Sequence, residues 1–179
     1  SAEQMAVMEV DGATVVSGRI ALKNDDWGKM TIADANVTGG NQAVQNWAQL
    51  EINGGTFAGD VVTWFYAIPG SEPETRTHAT ITGGTFNGRV TCVDYDQDEG
   101  KVEIDQGVTI SGTASFSEMP KYTYFADDYI AAWDEDSEMY VTAQGDWAAV
   151  INDETAYATL GEALAEAENG DTVALRGDA

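Results

Sequence analysis

Four aspartates in one short stretch carry the clearest metal-binding chemistry of the chain. Asp94, Asp96 and Asp98 alternate along the sequence, and Asp105 follows them closely. Calcium takes six to eight oxygen ligands, which alternating carboxylates on a flexible loop can supply. The stretch is not an EF-hand, because Gly100 comes one position later than that loop requires and no helices flank it. Two interpretations stay open: a solvated acidic loop, which the pattern favours, and a calcium site.

An aromatic triplet is the best candidate for ligand binding. Trp64, Phe65 and Tyr66 are consecutive. On a strand, side chains alternate between faces, so Trp64 and Tyr66 would share one face. Flat aromatic rings suit the CH-rich faces of sugars, although most aromatic residues in a chain of this size belong to the core. Trp64 and Tyr66 are therefore candidate glycan-binding residues, with core packing as the alternative.

No catalytic residues can be assigned from the sequence. A polysaccharide lyase needs a basic proton abstractor beside acidic metal ligands, and a glycosidase needs two carboxylates roughly 5 to 9.5 Å apart. Acidic residues are so numerous here that no pair stands out, and no nucleophile and base can be assembled. The sequence favours a protein without enzymatic activity, and a carbohydrate-active domain is the alternative.

The charge of the chain limits its partners. It has 31 acidic and 8 basic residues, a formal net charge of -23 at neutral pH. Such a field repels nucleic-acid phosphates and anionic lipid headgroups, and no apolar stretch is long enough for a membrane span. We expect no nucleic acid and no membrane insertion. The partners that remain are a glycan or a host surface protein, and we expect a monomer.

A repeated phrase predicts the elements that position these residues. An aliphatic anchor recurs at spacings of 20 to 29 residues, in the range of coiled repeats. The inner copies share Gly-Gly-Thr-Phe, at 54–57 and 83–86, where glycine permits a tight corner between two short strands. Regular leucines and a helical apolar period are both absent, so the pattern predicts a parallel β-solenoid of about five coils.

Parallel stacking predicts which residues align, because equivalent residues of successive coils lie about 4.8 Å apart. One inward row would contain Val10, Ile32, Ile52, Ile81 and Ile104. A second would contain Val16, Val37, Phe57, Phe86 and Ile110. An outward row would contain Glu9, Thr31, Glu51, Thr80 and Glu103, which alternates carboxylates with threonines and so separates like charges.

The last third of the chain has a different pattern. Residues 121–146 resemble a closing β-hairpin, and residues 147–179 predict a strand, a helix and a strand. Thr159 and Glu162 form a capping box, and Asn169 with Gly170 supplies a helix stop. The pattern therefore predicts a parallel β-helix over 1–120 and a strand-helix-strand segment over 147–179.

Two motifs resemble one known family. The run from Tyr157 to Leu160, the helix rich in Glu and Ala, and the run from Asn169 to Val173 are similar to the opening cap of pectate-lyase-like right-handed β-helices. Those domains belong to large secreted or cell-surface proteins of gut bacteria, and the Gly-Gly-Thr-Phe coils look like the same family. The resemblance implies three units: the parallel β-helix over 1–120, a closing β-hairpin over 121–146 and, over 147–179, the cap of a following unit. It also implies an extracellular or bacterial cell-surface location and a piece of a longer protein. The chain opens with Ser1 rather than methionine, which fits that expectation.

The resemblance is specific for architecture and not for activity, because one fold hosts many functions. The family includes lyases, glycosidases, adhesins and inert stalks. The predicted function is a non-catalytic structural or adhesive module of a bacterial surface protein, able to bind glycan or a host ligand. The alternative is a lyase-like or glycosidase-like β-helix. No cofactor is predicted apart from the calcium alternative at Asp94, Asp96, Asp98 and Asp105.

Overall fold

The computed structural model describes residues 6–65, 77–96, 100–145, 148–152, 155–157 and 159–175, with no side-chain detail at 95 and 96. These residues form an all-β protein with one short α-helix. The strands are β1 Ala6–Ser17, β2 Ile20–Asn24, β3 Gly28–Asn46, β4 Gln49–Ile52, β5 Thr56–Trp64, β6 His78–Asn87, β7 Val90–Asp96, β8 Gly100–Glu103, β9 Val108–Phe116, β10 Tyr129–Asp134, β11 Met139–Gln144, β12 Ala149–Ile151, β13 Thr155–Tyr157 and β14 Val173–Leu175. The helix, α1, is Leu160–Glu166.

Parallel pairing organises the large sheet. Strand β3 pairs with β1 and β2 on one side and with β4 and β5 on the other, all in parallel. Strand β6 pairs in parallel with β4, β5 and β9, and β5 also pairs with β7. Because β3 and β6 each pair with both β4 and β5, these four strands form a closed ring of parallel pairings.

The first inward row is confirmed at four of its five predicted positions. The paired residues are Val10, Ile32, Ile52, Ile81 and Ile110, all buried. Ile104 was the wrong fifth member. The chain at Val102 and Glu103 turns back as β8 and pairs antiparallel with β7, so the next parallel strand starts only at Val108. For the same reason Thr109, not Glu103, ends the outward row of Glu9, Thr31, Glu51 and Thr80.

The second row is an aromatic stack. Its members are Val15, Val37, Phe57, Phe86 and Phe116. The ring centroids of Phe57 and Phe86 lie 4.9 Å apart, and those of Phe86 and Phe116 lie 5.0 Å apart. The predicted end members were wrong: Val16 points to solvent, and Ile110 belongs to the first row. Irregular register at the corner of β1 shifted the first member of the row, and the antiparallel β8 displaced the last.

The Gly-Gly-Thr-Phe copies turn where the sequence predicts a glycine corner. Gly55 and Gly84 have φ angles of 105° and 114°, in the region that favours glycine. A Cβ atom on Gly55 would lie 2.4 Å from the carbonyl oxygen of Ala35. The glycine is thus needed for its backbone angle and for the close approach of the preceding strand, and Phe57 and Phe86 follow in register.

A buried asparagine pair stacks along the large sheet at another corner. Asn24 and Asn46 are both buried, and Asn24 Nδ2 donates to Asn46 Oδ1 at 2.8 Å and to the carbonyl of Gln49 at 2.7 Å. Asn46 Oδ1 also accepts from the backbone N–H of Ala48 at 3.1 Å. These side chains satisfy backbone groups that the corner removes from strand pairing.

The last third of the chain departs from parallel pairing. Strands β10 and β11 form the expected antiparallel hairpin, and β11 pairs antiparallel with β9. The predicted strand, helix and strand are present as β12, α1 and β14, and the additional strand β13 completes a second, three-stranded sheet. Thr159 and Glu162 form the predicted capping box. In the described part of the chain, no helix has the length and apolarity that crossing a membrane requires.

Candidate functional site

The candidate calcium ligands fall on and around a β-hairpin. Asp94 and Asp96 lie on β7, whose last pairing joins Asp96 to Gly100 of β8. Asp98 lies outside the described residues, and Asp105 follows β8. Asp105 Oδ1 accepts a hydrogen bond from Lys121 Nζ at 2.6 Å, and that ammonium group opposes a cation at the same carboxylate.

The described side chains do not assemble a calcium shell. Within the ranges that the structure covers, no group of three or more His, Cys, Asp or Glu side chains gathers to hold an ion. A calcium ion needs several oxygen ligands at once, and the described residues around Asp105 do not fit that need. Calcium binding by Asp94, Asp96, Asp98 and Asp105 stays a prediction.

Trp64 is placed in a stack of its own. Its ring lies parallel to that of Trp47, with centroids 4.9 Å apart, and Lys101 Nζ lies 5.3 Å from its centroid. Because β5 pairs with β3 on one side and β7 on the other, Trp47 and Lys101 approach from opposite sides. The ring is half-buried and is engaged on both faces. Tyr66, the second predicted ligand-binding residue, lies outside the described residues.

A polar cavity lies elsewhere, at the last parallel strands. Its volume is about 430 Å³. Arg89, at the start of β7, and Glu103, at the end of β8, line one side, and Glu118 and Lys121, after β9, line another. The hairpin adds Tyr140 from β11. Asn152, which follows β12, also lines it, so both sheets contribute to the wall.

Ion pairs fix the charged groups of this cavity. Arg89 Nη2 donates to Glu103 Oε2 at 2.8 Å, and Arg89 Nε lies 3.9 Å from Glu118 Oε2. The Lys121 ammonium bonds Asp105. Each cation of the wall therefore has a carboxylate partner, and donors and acceptors lie side by side.

Tyr124 supports the cavity from the core. Its ring is buried, and its hydroxyl donates to the carbonyl of Ile104 at 2.7 Å and accepts from the backbone N–H of Cys92 at 3.0 Å. Glu103 Oε1 lies 3.4 Å from the same hydroxyl. Burial is the main cause that raises the pKa of Tyr124 above its usual range. These bonds hold the backbone that carries Glu103 in one position.

Cys92 is a buried free thiol beside that network. Burial raises its pKa to about 12, and the negative charge of Asp94 adds to the effect. Such a thiol holds little of the thiolate that acts as a nucleophile at neutral pH. Cys92 is a core residue.

An aromatic pair adjoins the cavity. Trp133 and Tyr140 face each other across the hairpin, with ring centroids 5.1 Å apart and an interplanar angle of 69°. Tyr140 lines the cavity, and 51% of Trp133 is exposed to solvent. Sequence reasoning missed this pair. Pairing the hairpin outward from its turn aligns positions 133 and 140, so the signal was present in the sequence.

No comparable pattern in the sequence pointed to the charged residues of the cavity wall. Arg89, Glu103 and Glu118 meet only because β8 folds back on β7 and the chain after β9 passes alongside. Comparisons with protein-family models, with curated proteins and with solved structures found no match for this chain. The resemblance to pectate-lyase-like β-helices therefore stays a prediction.

Proposed function

We propose that this chain is a right-handed parallel β-helix that serves as a rigid, non-catalytic structural and adhesive module on the outside of a bacterial cell. The observation that carries the proposal is the continuity of its core rows. The residues from Val10 to Ile110 and from Val15 to Phe116 align strand after strand in parallel register. Parallel crossovers are right-handed in about 98% of cases, which gives the proposed hand.

Stacked rows resist local opening, which is the property that a spacer needs. Each central residue packs against its equivalents on both neighbouring strands, as Phe86 does with Phe57 and Phe116. Backbone bonds, the asparagine pair and the apolar core then stabilise the same strands together. Opening any one strand exposes its neighbours, so local unfolding in this region carries a high free-energy cost.

The acidic surface supports an extracellular role. A net charge of -23 keeps neighbouring copies apart and keeps the chain soluble without a partner. The single cysteine is buried, so oxidising surroundings find no exposed thiol in the described residues. A surface location is tested by labelling intact source cells with an antibody against this chain, with permeabilised cells as the control.

Limited proteolysis tests rigidity. We expect proteinase K to leave the strands β3, β4, β5, β6 and β9 uncut under native conditions. Gly84→Ala is the matched variant, because an alanine there is strained at a φ of 114° and should admit cleavage. Cleavage within β3, β5 or β6 of the unmodified protein, at the rate of the variant, would refute the proposal.

A carbohydrate-active function is the second candidate, and one observation favours it. Glu103 and Glu118 line the same cavity and both approach the Arg89 guanidinium, which places two carboxylates at one site. Two carboxylates are what glycoside hydrolysis requires.

Incubation with neutral and acidic polysaccharides, with and without calcium, tests this carbohydrate-active function through new reducing ends and the absorbance of unsaturated products. Activity lost in Glu103→Gln would establish the alternative, and unchanged substrates would exclude it for those polysaccharides.

A further inference from the structure

We propose that the cavity between Arg89, Glu118 and Tyr140, together with the exposed ring of Trp133, binds a neutral saccharide. This site is separate from the stack of Trp64, and a structural spacer has no need of it. Its volume of about 430 Å³ lies within the range of roughly 300 to 1,000 Å³ that small-molecule sites occupy.

The charged wall selects a ligand with alternating donors and acceptors. The guanidinium of Arg89 only donates hydrogen bonds, and the carboxylates of Glu103 and Glu118 only accept them. A sugar hydroxyl does both, so neighbouring hydroxyls of one ring can bond a cation and a carboxylate side by side. The wall already pairs its charges at 2.8 Å between Arg89 and Glu103 and at 2.6 Å between Lys121 and Asp105. An uncharged ligand leaves those pairs intact.

Charge argues against the other ligand classes. An anion would have to approach a chain with a net charge of -23, and both wall cations already have carboxylate partners. A cationic peptide would have to displace Arg89 and Lys121 from the carboxylates that already bind them. A neutral, polar ligand avoids both of these electrostatic costs.

The aromatic pair supplies the apolar contact that a sugar ring needs. Trp133 stands half-exposed on β10, and its ring meets the ring of Tyr140 at an angle of 69°. Tyr140 also packs against the main core, so the pair is anchored on one side and open on the other. The CH-rich face of a pyranose can lie on the indole while its hydroxyls reach the charged wall.

The wall is preorganised before any ligand arrives. The backbone N–H of Arg89 donates to Asp60 Oδ1 at 3.0 Å, which fixes the start of β7. The Tyr124 hydroxyl holds the backbone at Ile104, directly after Glu103. Asn152 donates to Asp171 Oδ1 at 2.7 Å and accepts from the backbone N–H of Thr172, so the contribution of the second sheet is fixed as well. Backbone held in this way loses little entropy on binding.

A glycan array followed by titration of the best oligosaccharide tests the proposal. The array carries neutral oligosaccharides and uronic-acid oligosaccharides, and binding is followed by the indole N–H signals of the labelled protein. We expect signal on neutral glycans and a shift of the Trp133 indole resonance. Trp133→Ala and Glu118→Gln should each weaken binding at least tenfold, while Trp27→Ala, at an exposed tryptophan outside the cavity wall, should leave it unchanged.

The variants keep the test independent of folding. Glu118 is 62% exposed and its replacement by glutamine is isosteric, so an unchanged melting temperature is expected. No neutral glycan above background would overturn the proposal, as would a preference for uronic-acid oligosaccharides. Binding that survives both Trp133→Ala and Glu118→Gln would also overturn it. The proteolysis test of rigidity does not depend on any of these results.

Discussion

The large sheet, with its strands from Ala6 to Phe116, and the small sheet of β12, β13 and β14 both bury an apolar core, but the two cores differ greatly in size. Among the described residues, 25 buried side chains form the core cluster that the large sheet encloses. The small sheet encloses Ala149, Ile151 and Ala163 as its buried cluster. On α1, Leu160 and Leu164 are exposed, and Ala163 is buried. Burial of apolar surface dominates stability, so the two regions should differ in how easily they open.

The difference shows what repetition adds. In the large sheet each row residue contacts its equivalents above and below, so a side chain of moderate size is buried by copies of itself. In the small sheet the helix covers one face with a single buried alanine, Ala163. We therefore expect the large sheet to set the global free energy of unfolding and the small sheet to open first.

The largest expected effect comes from the centre of the aromatic stack. Phe86→Ala removes a fully buried ring that packs between Phe57 and Phe116. We expect a loss of about 3 to 5 kcal/mol in the free energy of unfolding, measured by chemical denaturation. Val16→Ala, at a side chain that is 72% exposed, is the control and should change it by less than about 0.5 kcal/mol. A loss below about 1 kcal/mol for Phe86→Ala would contradict a stacked core.

Alkaline pH should weaken the large sheet through Cys92 and Tyr124. Both groups have raised pKa values in the folded protein, which therefore favours their neutral forms. Their contribution is fully present below pH 9, where the unfolded thiol is still protonated. This stabilisation is lost as the pH rises from 9 towards 12, and Cys92 contributes at most about 4 kcal/mol of it to the free energy of unfolding. Thermal melts across this range should show a shallower decline for Cys92→Ala. Equal slopes would rule out the thiol as a cause.

The asparagine pair should contribute less than the aromatic stack. Asn46→Ala removes the acceptor of Asn24 Nδ2 and of the Ala48 backbone N–H. Leaving buried donors without a partner costs about 1 to 3 kcal/mol, which denaturant titration can resolve. Asn53→Ala is the control, because Asn53 is exposed and its side chain bonds the carboxylate of Glu51 at 3.4 Å. Equal effects of the two substitutions would show that burial of the pair is unimportant.

A cap substitution should separate the two regions. Thr159→Ala removes the hydroxyl that accepts from the Glu162 backbone N–H, a change worth about 1 kcal/mol. We expect faster hydrogen exchange in α1 and β12 and unchanged exchange in β6. Thr159→Ser retains the hydroxyl and should behave like the unmodified protein. Faster exchange in β6 as well would show that the two sheets unfold as one unit.

Acid should affect the small sheet, with the smallest effect. The hydrogen bond from Asn152 and that from the Glu168 backbone N–H lower the pKa of Asp171. The stabilisation is therefore present above the usual aspartate pKa of 3.8 and is lost as the pH falls through the folded value. Protection factors against hydrogen exchange in β14 should fall below that pH, and Asp171→Asn should remove this pH dependence. An unchanged dependence in the variant would assign it to other carboxylates.

Much of the large sheet could be predicted from the sequence because its signal is local and repeated. Ile32, Ile52 and Ile81 align by their spacing, and Gly55 and Gly84 mark the corners through an angle that other residues rarely adopt. The capping box at Thr159 is equally local, since both partners lie within one helical turn. Patterns of this kind depend on residues that are close together in the chain, so they can be read directly from the sequence.

The tertiary structure decided strand direction and the contacts between distant segments, which local sequence patterns do not specify. Val102 to Asp105 matches the repeated phrase, yet β8 pairs antiparallel with β7, and Ile110 takes the place of Ile104. Strand direction depends on which partner the chain meets after a turn, and the period-two pattern of a strand is the same in either direction. The cavity shows the same limit. The sequence by itself determined the repeat, its corners and its acidic charge. The contact between Arg89, Glu118 and Tyr140 required folding, because residues from distant segments of the chain come together without any regular spacing in the sequence.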